Sequence, residues 1–491
     1  MKKITLLLLC FTVFQGFSQN LGQGYIANDL AQHPMQELDK PDYLEAVTDP
    51  SFTSTQIRRI TQATVGNYVK PMYSTIQAWN ADESLLIVYG GGVHQLLNGT
   101  DYTFIRNLTE VFPDDIETIF WSFTDPNVFF YMDGNNDDLI SYNVQTQVKT
   151  ILVNIRTLSG CPPANGLTGG NDIQMMSWDN DVFAFRCGND AAYYYRISTQ
   201  SLTQFNISNI EYTAPMPFPS GNLFFHRGAV YDVSGQFVRD LNVNGIQHSC
   251  LGKLGNGDDA YYNVNFEEGR YGGCQGTLVA HNATTGNCFA VTSYTDYDYP
   301  KSGTHISALA HKNLEDGWVA VSCLGFERDG VKLLDQELFV AKVNETDADV
   351  FRVAHHRSDE SPFSYAGEPH VTISPTGTRL LFASDWSGSI DGASVDTYVA
   401  ELASYTLSST SISVENENIS LYPNPAGNTL HLASSLNQDI DFSIKDVSGK
   451  MIYKIRFLND KQVDISFIAN GLYFATFTTG NTIKTVKFIK K

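Results

Sequence analysis

One unit recurs along most of this chain: a strand, a turn rich in Asp, Asn and Gly, a strand of alternating aromatics, then a further short strand pair. It is visible in "FWSFTDPNVFFYMDGNNDDLISYNV", in "SWDNDVFAFRCGNDAAYYYRIS" and in "TISPTGTRLLFASDWSG". Seven such units, 36 to 66 residues apart, lie between residues 55 and 403. Alternation with period two marks half-buried strands, and turns every few residues keep those strands short. One such unit cannot bury its own apolar face, whereas a ring of them buries every face against a neighbour. The expected fold is all-β, a β-propeller of about seven blades with a small β-sandwich after it. Composition agrees: aromatics reach 12% while charged residues make up only 17%.

The flanks differ in kind. "MKKITLLLLCFTVFQGFSQN" has a basic start, an apolar run and small residues at Gly16 and Ser18, the layout of a secretory signal peptide over residues 1–19. Cys10 lies inside the apolar run without small residues before it, which argues against a lipid anchor. No later stretch is long and apolar enough to span a bilayer as a helix. Residues 20–54 form an extension, and an Ile57–Thr61 strand is expected to help close the ring. Ser-rich residues 404–418 read as a linker, and residues 419–491 alternate apolar and polar like a small sandwich.

Six cysteines remain after the leader, an even count that favours disulfides in an exported chain. Cys274 with Cys288 flanks a hairpin, and Cys161 with Cys187 is the next pair. Cys250 with Cys323 follows by elimination, unless Cys323 is a metal thiolate. The formal net charge of -21 repels phosphates, which sets nucleic acid aside.

Tyr422-Pro423-Asn424-Pro425, the Asp446–Lys450 turn, Gly471-Leu472-Tyr473 and the closing Lys484–Lys491 strand resemble the C-terminal sorting domain of the type IX secretion system of Bacteroidetes. That resemblance implies the type IX machinery as a partner and release or attachment at the cell surface. The "S-P-x-G-x-x-L-x-F-x-S" form of the last unit resembles the propellers of TolB-like proteins and of oligogalacturonate lyase. In the latter, histidines on both sides of a proline bind a divalent metal beside a uronate. Here Glu368 and His370 flank Pro369, so one histidine is replaced by a carboxylate. Ulvan lyases share a seven-bladed plan, with histidines, a tyrosine and an arginine on one face.

Rotation about a propeller axis brings equivalent positions of successive blades together. Gln77, Asp172, Gln174, His248, His305, Glu368 and His370 all precede a turn or strand in this way. His248, His305, His356, His370, Cys323 and Glu368 are therefore the candidate ligands of a divalent metal (Zn, Mn or Ca), with structural zinc an alternative to a catalytic ion. Hydrogen-bonding the starts of neighbouring strands would use the same histidines equally well. For a lyase, His94, His226 and Tyr231 are the candidate base or acid, with Arg227 to neutralise a carboxylate. Two functions follow: a metal-assisted polysaccharide lyase acting on acidic glycan, or a non-catalytic surface propeller that binds glycan or protein.

Overall fold

The computed structural model describes residues 20–171, 173–208, 210, 213–243, 248–264, 274–293, 296–297, 304–325, 327–386, 394–405, 419–434, 440–446, 450–458, 461–479 and 482–491. The expected signal peptide (residues 1–19), Asp172, residues 406–418 of the expected linker and residues 447–449 of the sorting-domain turn lie outside them. The chain divides into two units, residues 1–407 and 408–491.

Among the described residues the first unit contains seven antiparallel sheets, and six of them are four-stranded meanders in chain order. Their innermost strands are Val69–Lys70, Phe120–Trp121, Leu167–Thr168, Met216–Pro217, Ser249–Lys253 and His305–Ser307 for blades one to six. Blade seven begins at Thr372–Ile373 and runs through Arg379–Ser384 to Asp396–Glu401. Its next strand, Gln56–Arg59, comes from the other end of the unit and pairs Gln56 with Glu401 and Arg59 with Tyr398. Ala46–Thr48 adds a fifth strand outside it. The ring is thus closed by chain from both ends.

Period two explains the packing. In the second strand of blade three, Val182, Phe183, Ala184 and Phe185 are all buried, because blades four and two cover both faces. Fully burying one such aromatic or aliphatic side chain contributes about 1.5–3 kcal/mol. Arg379 sews blade seven to blade one. Its guanidinium donates to the Gly99 carbonyl and Glu83, meets the Tyr102 hydroxyl, and lies over the Trp79 ring.

Three innermost strands are interrupted among the described residues, that of blade two between Pro113, opposite Asp133, and Phe120, opposite Phe130. In blade one, Lys70 pairs with Tyr89 and pairing resumes only at Trp79, opposite Leu86. In blade three, Thr168 pairs with Arg186 and pairing resumes at Met176, opposite Phe183. The intervening segments turn inward, and the Thr75 hydroxyl donates to the Ile173 carbonyl across them. Gln77 donates to the Leu309 and Ile373 carbonyls, and Gln174 bonds both main-chain groups of Leu251. These amides serve as scaffold, holding inner strands of different blades together.

Disulfides join Cys161 to Cys187 and Cys274 to Cys288. The expected Cys250–Cys323 bond does not form, and both remain buried thiols. Cys250 lies on the inner strand of blade five, with its sulfur against the Ala308 amide, while Cys323 ends the second strand of blade six.

The second unit packs a three-stranded sheet, with Ile419–Tyr422, Thr429–Ser434 and Lys461–Asp464, and a four-stranded one. The latter orders Met451–Phe457, Ile440–Asp446, Gly471–Thr479 and Thr482–Lys490. Leu430, Leu432, Phe442, Ile444, Phe477 and Phe488 form its core.

Candidate metal centre

The loops entering blades five and seven end on histidines in the left-handed region, with φ of 51° at His248 and 45° at His370. Non-glycine residues held there cost on the order of 1 kcal/mol or more, and such residues concentrate at functional sites. His305 needs no such turn, because it begins the inner strand of blade six. The three rings gather: the centroid of His305 lies 4.3 Å from that of His370 and 4.6 Å from that of His248.

Glu368 completes the group. Its Oε2 lies 3.5 Å from Nε2 of His305 and 4.0 Å from Nε2 of His370. His305, Glu368 and His370 each offer a ligand atom within 4.8 Å of the others, the only such trio among the described residues. Ligands about 2.1 Å from one ion stand up to ~4 Å apart, so small side-chain movements suffice to close this set.

The surroundings orient it. Nε2 of His370 donates to the Tyr365 carbonyl at 3.0 Å, which leaves its lone pair on Nδ1. That Nδ1 is buried and has no hydrogen-bond partner among the described residues. Carbonyl-oriented imidazoles of this kind are the usual second layer of metal sites. Tyr73 packs on both His305 and His370, and Tyr365 packs edge-on against His370. Lys70 donates to the Met72 carbonyl and reaches Glu117, which accepts a hydrogen bond from the Tyr365 hydroxyl.

Burial dominates the electrostatics. It pushes the His370 imidazolium well below its ordinary range, and nearby Lys70 adds to this. It lowers His248 and Lys70 as well. Glu368 is pushed up to about 7, first by burial and then by Glu360. Neutral imidazoles are the form that ligates a metal, and a dication would reverse the carboxyl's resistance to ionising, since it favours the anionic carboxylate. Two imidazoles and one carboxylate suit zinc or manganese; calcium, expected as a third possibility, prefers an all-oxygen shell.

The other sequence candidates lie elsewhere. His305 stands opposite Ser322, so Cys323, one residue on, projects from the other face of the blade. Burial raises the Cys323 thiol well above its ordinary value, which opposes a thiolate. His356 uses both nitrogens, donating to the Cys323 carbonyl and accepting from the Ser358 amide. Adjacency in sequence to blade-entry residues does not bring either one into the trio. His94 and Tyr231 lie on third strands and His226 on a second strand, away from the innermost position. His94 bonds the Ile116 carbonyl, and His226 bonds that of Thr213. Arg227 sits exposed in the adjoining turn. The structure therefore does not gather the four proposed acid–base and neutralising residues around the metal group. Sequence reasoning missed Lys70, Tyr73, Glu117 and Tyr365. Tyr365 alone was within reach, standing three residues before Glu368.

Residues 420–491 match the family of secretion system C-terminal sorting domains. The chain is thereby directed through type IX secretion to the cell surface or the extracellular space. No helix among the described residues is long and apolar enough to cross a membrane. No curated protein matches the sequence. Among solved structures, an oligogalacturonate lyase in complex with manganese is similar, with 16% identity and a TM-score of 0.51 over 76% of this chain and 97% of that one. The likeness is one of fold, the propeller. The extracellular domain of a hybrid two-component system from B. thetaiotaomicron aligns with 91% of this chain and 61% of its own, at 10% identity and a TM-score of 0.32.

Proposed function

We propose that this exported propeller holds a divalent transition metal at His305, Glu368 and His370, and acts as a lyase on an acidic glycan. The gathering of those three side chains at the blade-entry ends of the inner strands carries the reading. The manganese held by the similar lyase supports it. When bound, the metal would offset charge on a uronate carboxylate and so acidify the neighbouring carbon–hydrogen bond. His248 donates from Nδ1 to the Thr304 carbonyl, which places the lone pair on Nε2, the atom that would accept the C5 proton. The carbanion electrons form the C4–C5 double bond as the C4–oxygen bond breaks. The Tyr365 hydroxyl, which donates to Glu117, would protonate the leaving oxygen.

One observation favours a second reading. His305 and His370 are fully buried, and the acid–base candidates read from the sequence stand on other strands. A structural ion in a glycan- or protein-binding propeller would look the same. Metal analysis of the full chain tests the common premise. About one equivalent of zinc or manganese is expected in wild type and none in His370→Ala; absence from both removes the centre. Ultraviolet absorbance of a new double bond on uronate polysaccharides then separates the two readings. Activity lost in His248→Gln with metal retained supports the lyase, and no activity with metal bound supports the structural ion.

A further inference from the structure

The sorting domain presents one face with a composition unlike the rest of the molecule. In its four-stranded sheet, Phe442, Ile444, Ala475, Phe477 and Phe488 point inward. The register defines the opposite face. Lys445 stands between Met451 and Phe474, and Leu472 stands opposite Ile489. Met451, Leu472, Phe474 and Ile489 are 48, 38, 36 and 44% exposed, which is high for large apolar side chains side by side on one sheet.

Cations frame them. Lys454 pairs with Ser443 and Arg456 with Asp441 on the same face, and Lys445 lies at its centre. Asp441 is the one acid at these outward positions among the described residues. Residues 419–491 hold nine Lys and Arg against five Asp and Glu, a net +4, while the rest of the chain carries -25. The basic, apolar face therefore belongs to the segment that matches a secretion-system sorting domain, and the acidic surface belongs to its cargo.

We infer that this face, centred on Leu472 and Phe474, is where the export machinery docks, and that its partner is a protein surface with an apolar hollow rimmed by carboxylates. A core of large apolar side chains inside a charged rim is the anatomy of a protein interface, and the cations select an acidic partner and speed encounter. An anionic membrane surface shares part of that chemistry. The apolar side chains here lie across neighbouring strands rather than along one helical stripe, which favours a protein.

The test uses the full chain produced in a type IX-competent bacterium. The variants are Leu472→Ser/Phe474→Ser and Lys445→Glu/Lys454→Glu/Arg456→Glu, with Lys461→Glu on the other sheet as control. Each face variant is expected to lower the surface-plus-medium share at least tenfold, with folded protein retained in the periplasm and the control unaffected. If the serine variant is degraded, the charge-reversed variant decides, because it leaves every apolar contact in place. Export of that variant within twofold of wild type overturns the inference. So does export loss matched by loss of binding to phosphatidylglycerol vesicles, which would assign the face to lipid.

Discussion

Two thirds of the candidate centre rests on residues that look dispensable in a helix or loop but are confined here. His370 has a positive φ, a ring between Tyr73 and Tyr365, and one nitrogen committed to a backbone carbonyl. Glu368 adds the only negative charge of the trio. Glu368→Gln keeps its shape and removes that charge, so metal affinity should fall at least about tenfold with the fold intact, as read by titration with zinc. An unchanged affinity would take the carboxylate out of the set. The residue scale is also where the sequence was hardest to read. Cys323 and His356 were attractive because thiols and imidazoles ligate metals, yet one residue of pleat turned Cys323 away and two hydrogen bonds consumed His356. Spacing along the chain carries neither kind of information. Thiol titration without reductant should find two reactive cysteines in the unfolded chain lacking its leader and almost none in the native one. Zero in the unfolded state would mean that Cys250 and Cys323 had paired after all.

Individual blades were far more legible, because alternation, turn residues and aromatic strands all point to the same element. "VFAFRC" and "AAYYYR" pair in register from Val182–Arg196 to Cys187–Ala191, as an alternating pattern joined by a Gly-Asn-Asp turn requires. The exceptions include the inner strands of blades one and three, where pairing lapses between Lys70 and Trp79 and between Thr168 and Met176. Inward excursions obey contacts across the axis, such as Thr75 with Ile173, and those leave no local period. Lys70 and Tyr73, which line the candidate centre, were hidden for that reason. Seams between blades bury apolar side chains from both sides, and Arg379 adds a polar stitch to one of them. Arg379→Ala would leave the Glu83 carboxylate without its cation at the seam between blades seven and one, while the Tyr102 hydroxyl keeps its bond to Glu401. A cost of about 3–5 kcal/mol is expected, visible as a lower denaturant midpoint. A loss below about 1 kcal/mol would show that the seam is held by apolar packing alone.

Across the whole molecule, histidine burial sets the response to acid. His226 and His281 are held down to about 4, and His311 and His356 to about 3, in each case chiefly by desolvation. Unfolded histidines titrate near 6.5, so the unfolded chain binds more protons from there down to the folded values. Stability should be full above pH ~6.5 and decline steadily toward pH 4, a tenfold loss of proton affinity on folding being worth about 1.4 kcal/mol per group. Denaturant unfolding at pH 7 and 4.5 measures this, and equal stabilities would contradict the burial of these rings. The ring closure has a consequence in time. Arg58 and Glu401, which bond across the closing strands, are 343 residues apart in the sequence. At synthesis rates of roughly 5–20 residues per second, the first strand waits on the order of tens of seconds for its partner. Throughout that interval the Gln56–Arg59 strand has no sheet to join and the ring has no seal, so the nascent chain is most open to chaperones and least resistant to proteases. Only when residues near 400 arrive does one pairing event convert a row of blades into a closed wheel.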